Sequence, residues 1–365
     1  MTSRPITRQR LLAHSEAYPR MQVTDLFKYL FQSAFGCEHL VASEDAAVAY
    51  IRRELAATED GRGTTPADLA ADRLDGAYSR VPIAWLRAGL TPETLGKLFC
   101  RSAKIEPNGR EELLAKLDVA REMIEAGELP FPTEIFDREA AAWRESGYPA
   151  IHHSEAFRAA YRPAYRVIAQ DYVRFLPFFA CMDRKLQEMA ETPLIVAIEG
   201  GSASGKTTLA QLLSELYDCN VFHMDDFFLR PEQRTAARFA EIGGNVDRER
   251  FLEEVLRPAC GGETVSYRPF DCATQTLGQA VTVPHKRLTI VEGAYSMHPA
   301  LAPYYHLSVF LDVDPACQRE RILRRNSPTF AKRFFEEWIP MEVTYASHTA
   351  VRERCGLCIR IAQEA

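Results

Sequence analysis

The chain has 365 residues, of which 47% are hydrophobic and 26% charged, with a net charge of −6 at pH 7. That length suits two ordinary domains, and the mildly acidic balance offers no polybasic platform for nucleic acid. The 19 glycines and 21 prolines are near average usage, which excludes collagenous and low-complexity classes.

From the N-terminus onward the first half reads as mostly helical. MTSRPITRQRLLAHSEAYPR lacks the apolar core of a secretion signal, so the expected compartment is the cytoplasm. Apolar residues recur every three or four positions over Asp25–Leu40 and Glu111–Gly127, with Gly127 placed as a helix stop. Loops are marked by Gly61-Arg62-Gly63, Pro107-Asn108-Gly109 and Leu129-Pro130-Phe131-Pro132. Cys37-Glu38-His39 and the pair His152-His153 with Glu155 offer metal-ligand chemistry, but without tight ligand spacing they read first as cap, core and surface positions. Arg162 and Arg166 stand beside tyrosines, where they could meet a phosphorylated ligand or pack as amphipathic side chains. A further helical stretch is expected over roughly Tyr165–Met189. It contains the most apolar run, Phe175–Met182, interrupted by Pro177 and far short of the roughly 20 residues that span a bilayer, so no membrane partner is expected.

The pattern changes after Glu191-Thr192-Pro193, and the domain boundary is placed there: 1–190 an α-helical domain, 191–365 a second domain. Strands are predicted at Leu194–Glu199, Asn220–His223, Leu288–Glu292, Leu307–Val313 and Leu357–Ile361. Helical patterns fall between them at Thr207–Tyr217, Arg248–Leu256, Pro315–Arg325 and about Ala331–Tyr345, the signature of an α/β parallel sheet flanked by helices. Near the end, Cys355 and Cys358 form the one close pair among nine cysteines; the set is odd and scattered, which argues for reduced thiols.

The first of these strands runs into Gly200, Gly201, Ser202, Ala203, Ser204, Gly205, Lys206, Thr207 and then Thr208, which is G-x-x-x-x-G-K-T between a strand and a helix. Glycines let successive backbone N–H groups face a phosphate chain, and the helix adds the positive end of its dipole. Lys206 is expected to reach the β- and γ-phosphates and the Thr207 hydroxyl to bind Mg²⁺. A nucleotide, ATP first, is thus expected together with Mg²⁺. The second strand ends at Asp225-Asp226, on the edge where open α/β sheets bind ligands, so Asp225 can take the proton of an attacking hydroxyl and help hold Mg²⁺. Thr289-Ile-Val-Glu292-Gly293 ends a third strand in a carboxylate positioned for the metal.

GGSASGKTT, HMDDFF, Asn245-Val-Asp247, IVEG and the arginine-rich Gln318–Arg325 together resemble the uridine kinase and phosphoribulokinase branch of P-loop kinases, over about 191–361. The resemblance implies a five-stranded parallel sheet in order 2-3-1-4-5 and phosphoryl transfer from ATP to a small-molecule hydroxyl. By motif it gives Asp225 as base, Thr207 and Glu292 as metal ligands, Asp247 as the acceptor-binding aspartate, and Arg321 and Arg324 as lid arginines. Where uridine kinases carry a Tyr-Asp pair and then a histidine, this chain has Phe270-Asp271 and no histidine, and Asn326–Pro340 replaces the usual lid. The expected acceptor is therefore a hydroxyl-bearing metabolite, nucleosides first, with assembly into a homo-oligomer left open. A reading of another class is a nucleotide-gated regulatory protein, which binds nucleotide without acceptor turnover.

Overall fold

The computed structural model describes residues 4–37, 43–57, 64–103 and 109–362. The chain divides into two compact units, Met1–Asp183 and Arg184–Ala365.

The second unit is built on five parallel strands: β1 (Leu194–Gly200), β2 (Cys219–His223), β3 (Leu288–Glu292), β4 (Leu307–Val313) and β5 (Leu357–Ile361). They lie in the order β2-β3-β1-β4-β5, so the expected 2-3-1-4-5 sheet is what forms. Leu288 at the start of β3 pairs with Leu194 on one side and Cys219 on the other, which sets the three carboxyl ends side by side. All seven residues of β1 and all five of β3 are buried. Helices cover both faces of a parallel sheet, so its central strands must be continuously apolar rather than alternating. The edge strand β5 does alternate, with Ile359 and Ile361 buried and Cys358 and Arg360 exposed. The helix Lys206–Leu216 turns Leu209, Leu212, Leu213 and Leu216 inward, as its heptad spacing requires. Phe222, Phe251, Val291 and Tyr345 belong to one buried cluster around the sheet.

Two expected helices differ in form. Arg248–Phe251 passes through a π-turn, Leu252–Leu256, into Arg257–Gly261, and the stretch expected at 331–345 is Pro328–Arg333, a second π-turn at Phe334–Trp338, then Ile339–Thr349. Proline follows each π-turn closely, at Pro258 and Pro340, and its missing N–H favours this local slip of the hydrogen-bond ladder. Two short antiparallel pairs, Val265–Tyr267 with Val281–Val283 and Phe270–Asp271 with Thr276–Leu277, lie between the second and third sheet strands.

The first unit packs helices including Arg4–Ala17, Val23–Phe35, Pro92–Ser102 and Gly109–Glu125 with a three-stranded antiparallel sheet of Asp72–Arg73, Tyr78–Pro82 and Tyr165–Ala169. Tyr165–Ala169 corrects the expected helix: Val167-Ile168 is β-branched and pairs with Tyr78–Pro82, and the helix begins later, at Leu176–Glu188. Arg166 is buried, ion-paired to Glu54 at 2.7 Å and set over the Tyr50 and Phe99 rings. It is a packing residue. His153 is likewise enclosed, with Nδ1 3.0 Å from Asp25 and Nε2 2.7 Å from the Tyr165 hydroxyl. Glu38, His39, Gly61-Arg62-Gly63 and Pro107-Asn108 lie outside the described residues. All nine cysteines are free thiols, with Cys355 buried and Cys358 exposed.

Candidate active site

The loop after β1 turns sharply at Gly200. Its φ is +148°, and a Cβ there would lie 2.7 Å from the Leu311 carbonyl oxygen of the neighbouring strand, so only glycine lets the loop leave the sheet at this point. Ala203, at φ +57°, completes the curl. Lys206 sits at the first position of the following helix and folds back, its Nζ donating to the carbonyls of Gly200 at 2.8 Å and Gly201 at 2.9 Å. The ammonium thus spans the loop it is expected to serve. Ser204 is buried, while Thr207 and Thr208 are exposed on the first turn of the helix.

The loop also holds an anion of the protein's own. Ser202 donates its N–H at 2.8 Å and its hydroxyl at 2.6 Å to the Glu342 carboxylate, from the helix Ile339–Thr349. This stand-in anion shows that the loop can bind negatively charged oxygen, which is the test a phosphate group must pass. Two side chains from the helix Pro315–Arg325 grip the same segment, Gln318 donating to the Ser202 carbonyl at 2.8 Å and Arg321 to the Ala203 carbonyl at 3.1 Å. Arg324, one turn on, is exposed.

Thr207, Lys206, Asp225 and Glu292 come together at the carboxyl edge of β1, β2 and β3. The Thr207 hydroxyl donates to Glu292 Oε1 at 3.0 Å, and His223 Nδ1 lies 2.6 Å from the same oxygen. That hydrogen bond raises the His223 pKa above its ordinary value against the pull of burial. Burial by itself would raise the Glu292 carboxyl, but His223 and Lys206 hold it below the usual range. Asp225 is open to solvent yet crowded by protein. The loss of surrounding water pushes its pKa up, Lys206 counters this, and Glu292 and Asp226 add repulsion. Carboxylates that repel one another beside a hydroxyl are a hard-oxygen set suited to Mg²⁺, which takes one or two carboxylates and completes its shell with water and phosphate. Among the described residues no group of three or more His, Cys, Asp or Glu side chains forms an all-protein metal cage.

The acceptor-side residues are placed less uniformly. Asp247 is 2% exposed and caps the helix Arg248–Phe251, accepting from the Arg250 N–H at 3.2 Å and from Gln233 Nε2 at 2.9 Å. Its own N–H reaches the Phe227 carbonyl at 2.7 Å, which ties it to the segment just past Asp225. Phe270 is buried beneath the Arg234 guanidinium. Asp271 is exposed and accepts from the Ala273 N–H at 2.7 Å within the hairpin turn. A cavity of about 260 Å³ opens between the helix Ile339–Thr349 and residues 239–245, with Asn245 and Tyr295 in its wall.

Sequence reasoning named neither His223, Gln318, Glu342 nor Glu199 as site residues. Glu199, the last side chain before the loop, is buried and accepts N–H groups from Gly200, Tyr295 and Met297 at 2.8, 3.1 and 2.9 Å. A charged residue ending an otherwise apolar strand was the available signal.

No family model matches the chain. Among curated proteins it is 30% identical over 153 residues to a uridine kinase of Chloroflexus aggregans, covering 38% of this chain and 70% of that protein. It is 29% identical over 148 residues to a uridine kinase of Chloroflexus aurantiacus, with the same two coverages. Among solved structures, a possible uridine kinase from Bacillus stearothermophilus aligns with 49% of this chain and 96% of its own length, at 21% identity and a TM-score of 0.38. The N-terminal half has no counterpart in these relatives. On the identity and coverage of the curated relatives, the chain belongs to the uridine kinase family of P-loop kinases.

Proposed function

We propose that residues 191–365 transfer the γ-phosphate of ATP to a hydroxyl of a small metabolite, nucleosides first, with Mg²⁺. The observation that carries this reading is the meeting of Lys206, Thr207, Asp225 and Glu292 at one sheet edge, beside a loop already bonded to a carboxylate. The loop amides and Lys206 would bind the β- and γ-phosphates and stabilise charge on the transferring group. Thr207, Glu292 and Asp225 would hold Mg²⁺, which when bound offsets phosphate charge. Asp225 accepts the proton of the acceptor hydroxyl as its oxygen bonds to the γ-phosphorus; the bond to the β–γ bridging oxygen breaks, and ADP leaves. Arg321 already reaches the loop and would close on the developing charge with Arg324. The cavity walled by Asn245 and Tyr295 would take the acceptor, and Asp247 and Phe270-Asp271 are the acceptor-binding residues by motif. Gln233 holds Asp247 Oδ2 at 2.9 Å, a bond that an acceptor hydroxyl would share or replace.

Residues 1–190 would then set acceptor choice, assembly or regulation, since function is grafted onto such folds by added segments. No helix among the described residues is long and apolar enough to cross a membrane. The deciding experiment incubates the protein with ATP and Mg²⁺ against nucleosides, ribosides, sugars and vitamin alcohols, and follows by mass spectrometry the gain of one phosphate. Acceptor-dependent ADP release with a phosphorylated product is expected. Tight nucleotide binding with no product from any acceptor class would favour the nucleotide-gated regulatory role instead.

A further inference from the structure

Glu342 lies 140 residues from the loop it touches and takes two hydrogen bonds from a single loop residue, the Ser202 N–H at 2.8 Å and the Ser202 hydroxyl at 2.6 Å. The contact is close along the backbone too, since a Cβ built at Gly201 would stand 3.2 Å from Glu342 Oε2. One turn further along the same helix the Tyr345 hydroxyl lies 3.3 Å from the Glu199 carboxylate at the root of the loop. Residues three apart share a helix face, so Ile339–Thr349 meets the phosphate loop at two points with one side.

We propose that Glu342 is a resident anion of the phosphate loop, one that an incoming nucleotide phosphate must displace, so that this carboxylate sets how tightly the enzyme holds ATP. The inference rests on the kinase reading of the loop. A donor pair cannot serve a carboxylate and a phosphate oxygen at once, and two anions at hydrogen-bond separation from one donor repel each other. Glu342 therefore acts against nucleotide phosphates while keeping the empty loop in its curled form. Gln318 and Arg321 bind loop carbonyls and do not compete for its donors. The device differs from a lid arginine, which adds attraction in the transition state; here a charge of the same sign as the ligand is held in the ground state of the free enzyme.

The test titrates ATP, ADP and adenosine with Mg²⁺ into the full-length protein and into Glu342→Gln and Glu342→Ala, by calorimetry, with melting temperatures recorded alongside. Glu342→Gln removes the charge and keeps the shape; Glu342→Ala removes both. The expected result is roughly tenfold tighter binding of ATP and ADP by each variant, with adenosine affinity unchanged because adenosine brings no phosphate to the loop. If Glu342→Ala does not fold, Glu342→Gln alone decides. ATP affinity that is unchanged or weaker in a folded Glu342→Gln protein, while the wild type binds ATP, overturns the resident-anion role and leaves the kinase reading standing. Failure of every form to bind ATP overturns both. Equal tightening of adenosine would assign Glu342 a general packing effect and also overturn the proposal.

Discussion

Lys206 donates to two loop carbonyls, and each of those bonds can be exchanged for a phosphate oxygen by a small rotation of a flexible side chain. In the proposed reaction its charge would act on the bound nucleotide and on the transition state alike, so Lys206→Ala should weaken ATP binding and lower turnover together, as read by calorimetry and initial rates. Asp225 acts differently. As the proposed base, its carboxylate would take a proton only as the acceptor attacks, so Asp225→Asn should bind ATP nearly as the wild type does while losing about two to four orders of magnitude in turnover. A third test concerns Glu199, whose burial raises its pKa from 4.5 to about 7 despite three backbone N–H bonds that favour the ionised form. Between those two values the folded protein keeps a proton that the unfolded chain has released, so stability falls as pH rises through that window, by up to about 3 kcal/mol. Denaturant midpoints at pH 5 and pH 7.5 should therefore converge in Glu199→Gln relative to the wild type. Of the residues at this scale, Lys206, Thr207, Asp225 and Glu292 were legible because each sits at a fixed offset from a strand end. Glu342 was not, since nothing in local sequence announces a partner 140 residues away.

At the scale of elements the strands of the second unit could be read almost residue for residue. A central parallel strand must be apolar on both faces, and Leu194–Gly200 and Leu288–Glu292 meet that demand with no alternation to confuse them. Tyr165–Ala169 failed because an aromatic and β-branched pentapeptide followed closely by an amphipathic helix carries no turn signal at the change of period, and only its pairing with Tyr78–Pro82 makes it a strand. The π-turns were invisible for a related reason: a slip of one residue in a helix leaves its apolar spacing nearly intact. The helix Pro315–Arg325 supports a test of its own. Arg321 reaches the Ala203 carbonyl, whereas Arg324 is exposed on the last turn. Arg321→Ala should lower turnover by about a hundredfold, since it removes a loop contact and, in the proposed reaction, a charge that would face the transferring phosphate, and Arg324→Ala should have a smaller effect that appears in turnover rather than in ATP affinity. Equal, negligible effects of both substitutions would return this helix to the role of a solvated basic face.

Over the whole molecule the question is whether the second unit is self-sufficient. It contains the sheet, the phosphate loop and the candidate base, metal ligands and lid, and its roughly 180 residues are ordinary for one domain. The segment before β1 also contacts the sheet. Arg287, at the foot of β3, donates to the carbonyl of Leu186 at 3.1 Å and of Ala190 at 2.8 Å, so the end of the helix Leu176–Glu188 is fastened to the sheet. The compact units divide at Arg184, upstream of this fastening, while the change in sequence pattern lies a few residues downstream of it. A chain beginning at Lys185 keeps both bonds, and one beginning at Glu191 loses both. The first should fold and bind ATP with Mg²⁺ within a few-fold of the full-length protein. The second should melt about 2–5 °C lower, the shift expected for losing one or two charge-assisted hydrogen bonds in a domain of this size. Acceptor affinity or the sizing profile should change in both, because the segment that would govern them is gone. Insolubility of the 185–365 chain, or loss of its ATP binding, would instead make the N-terminal half part of the catalytic core.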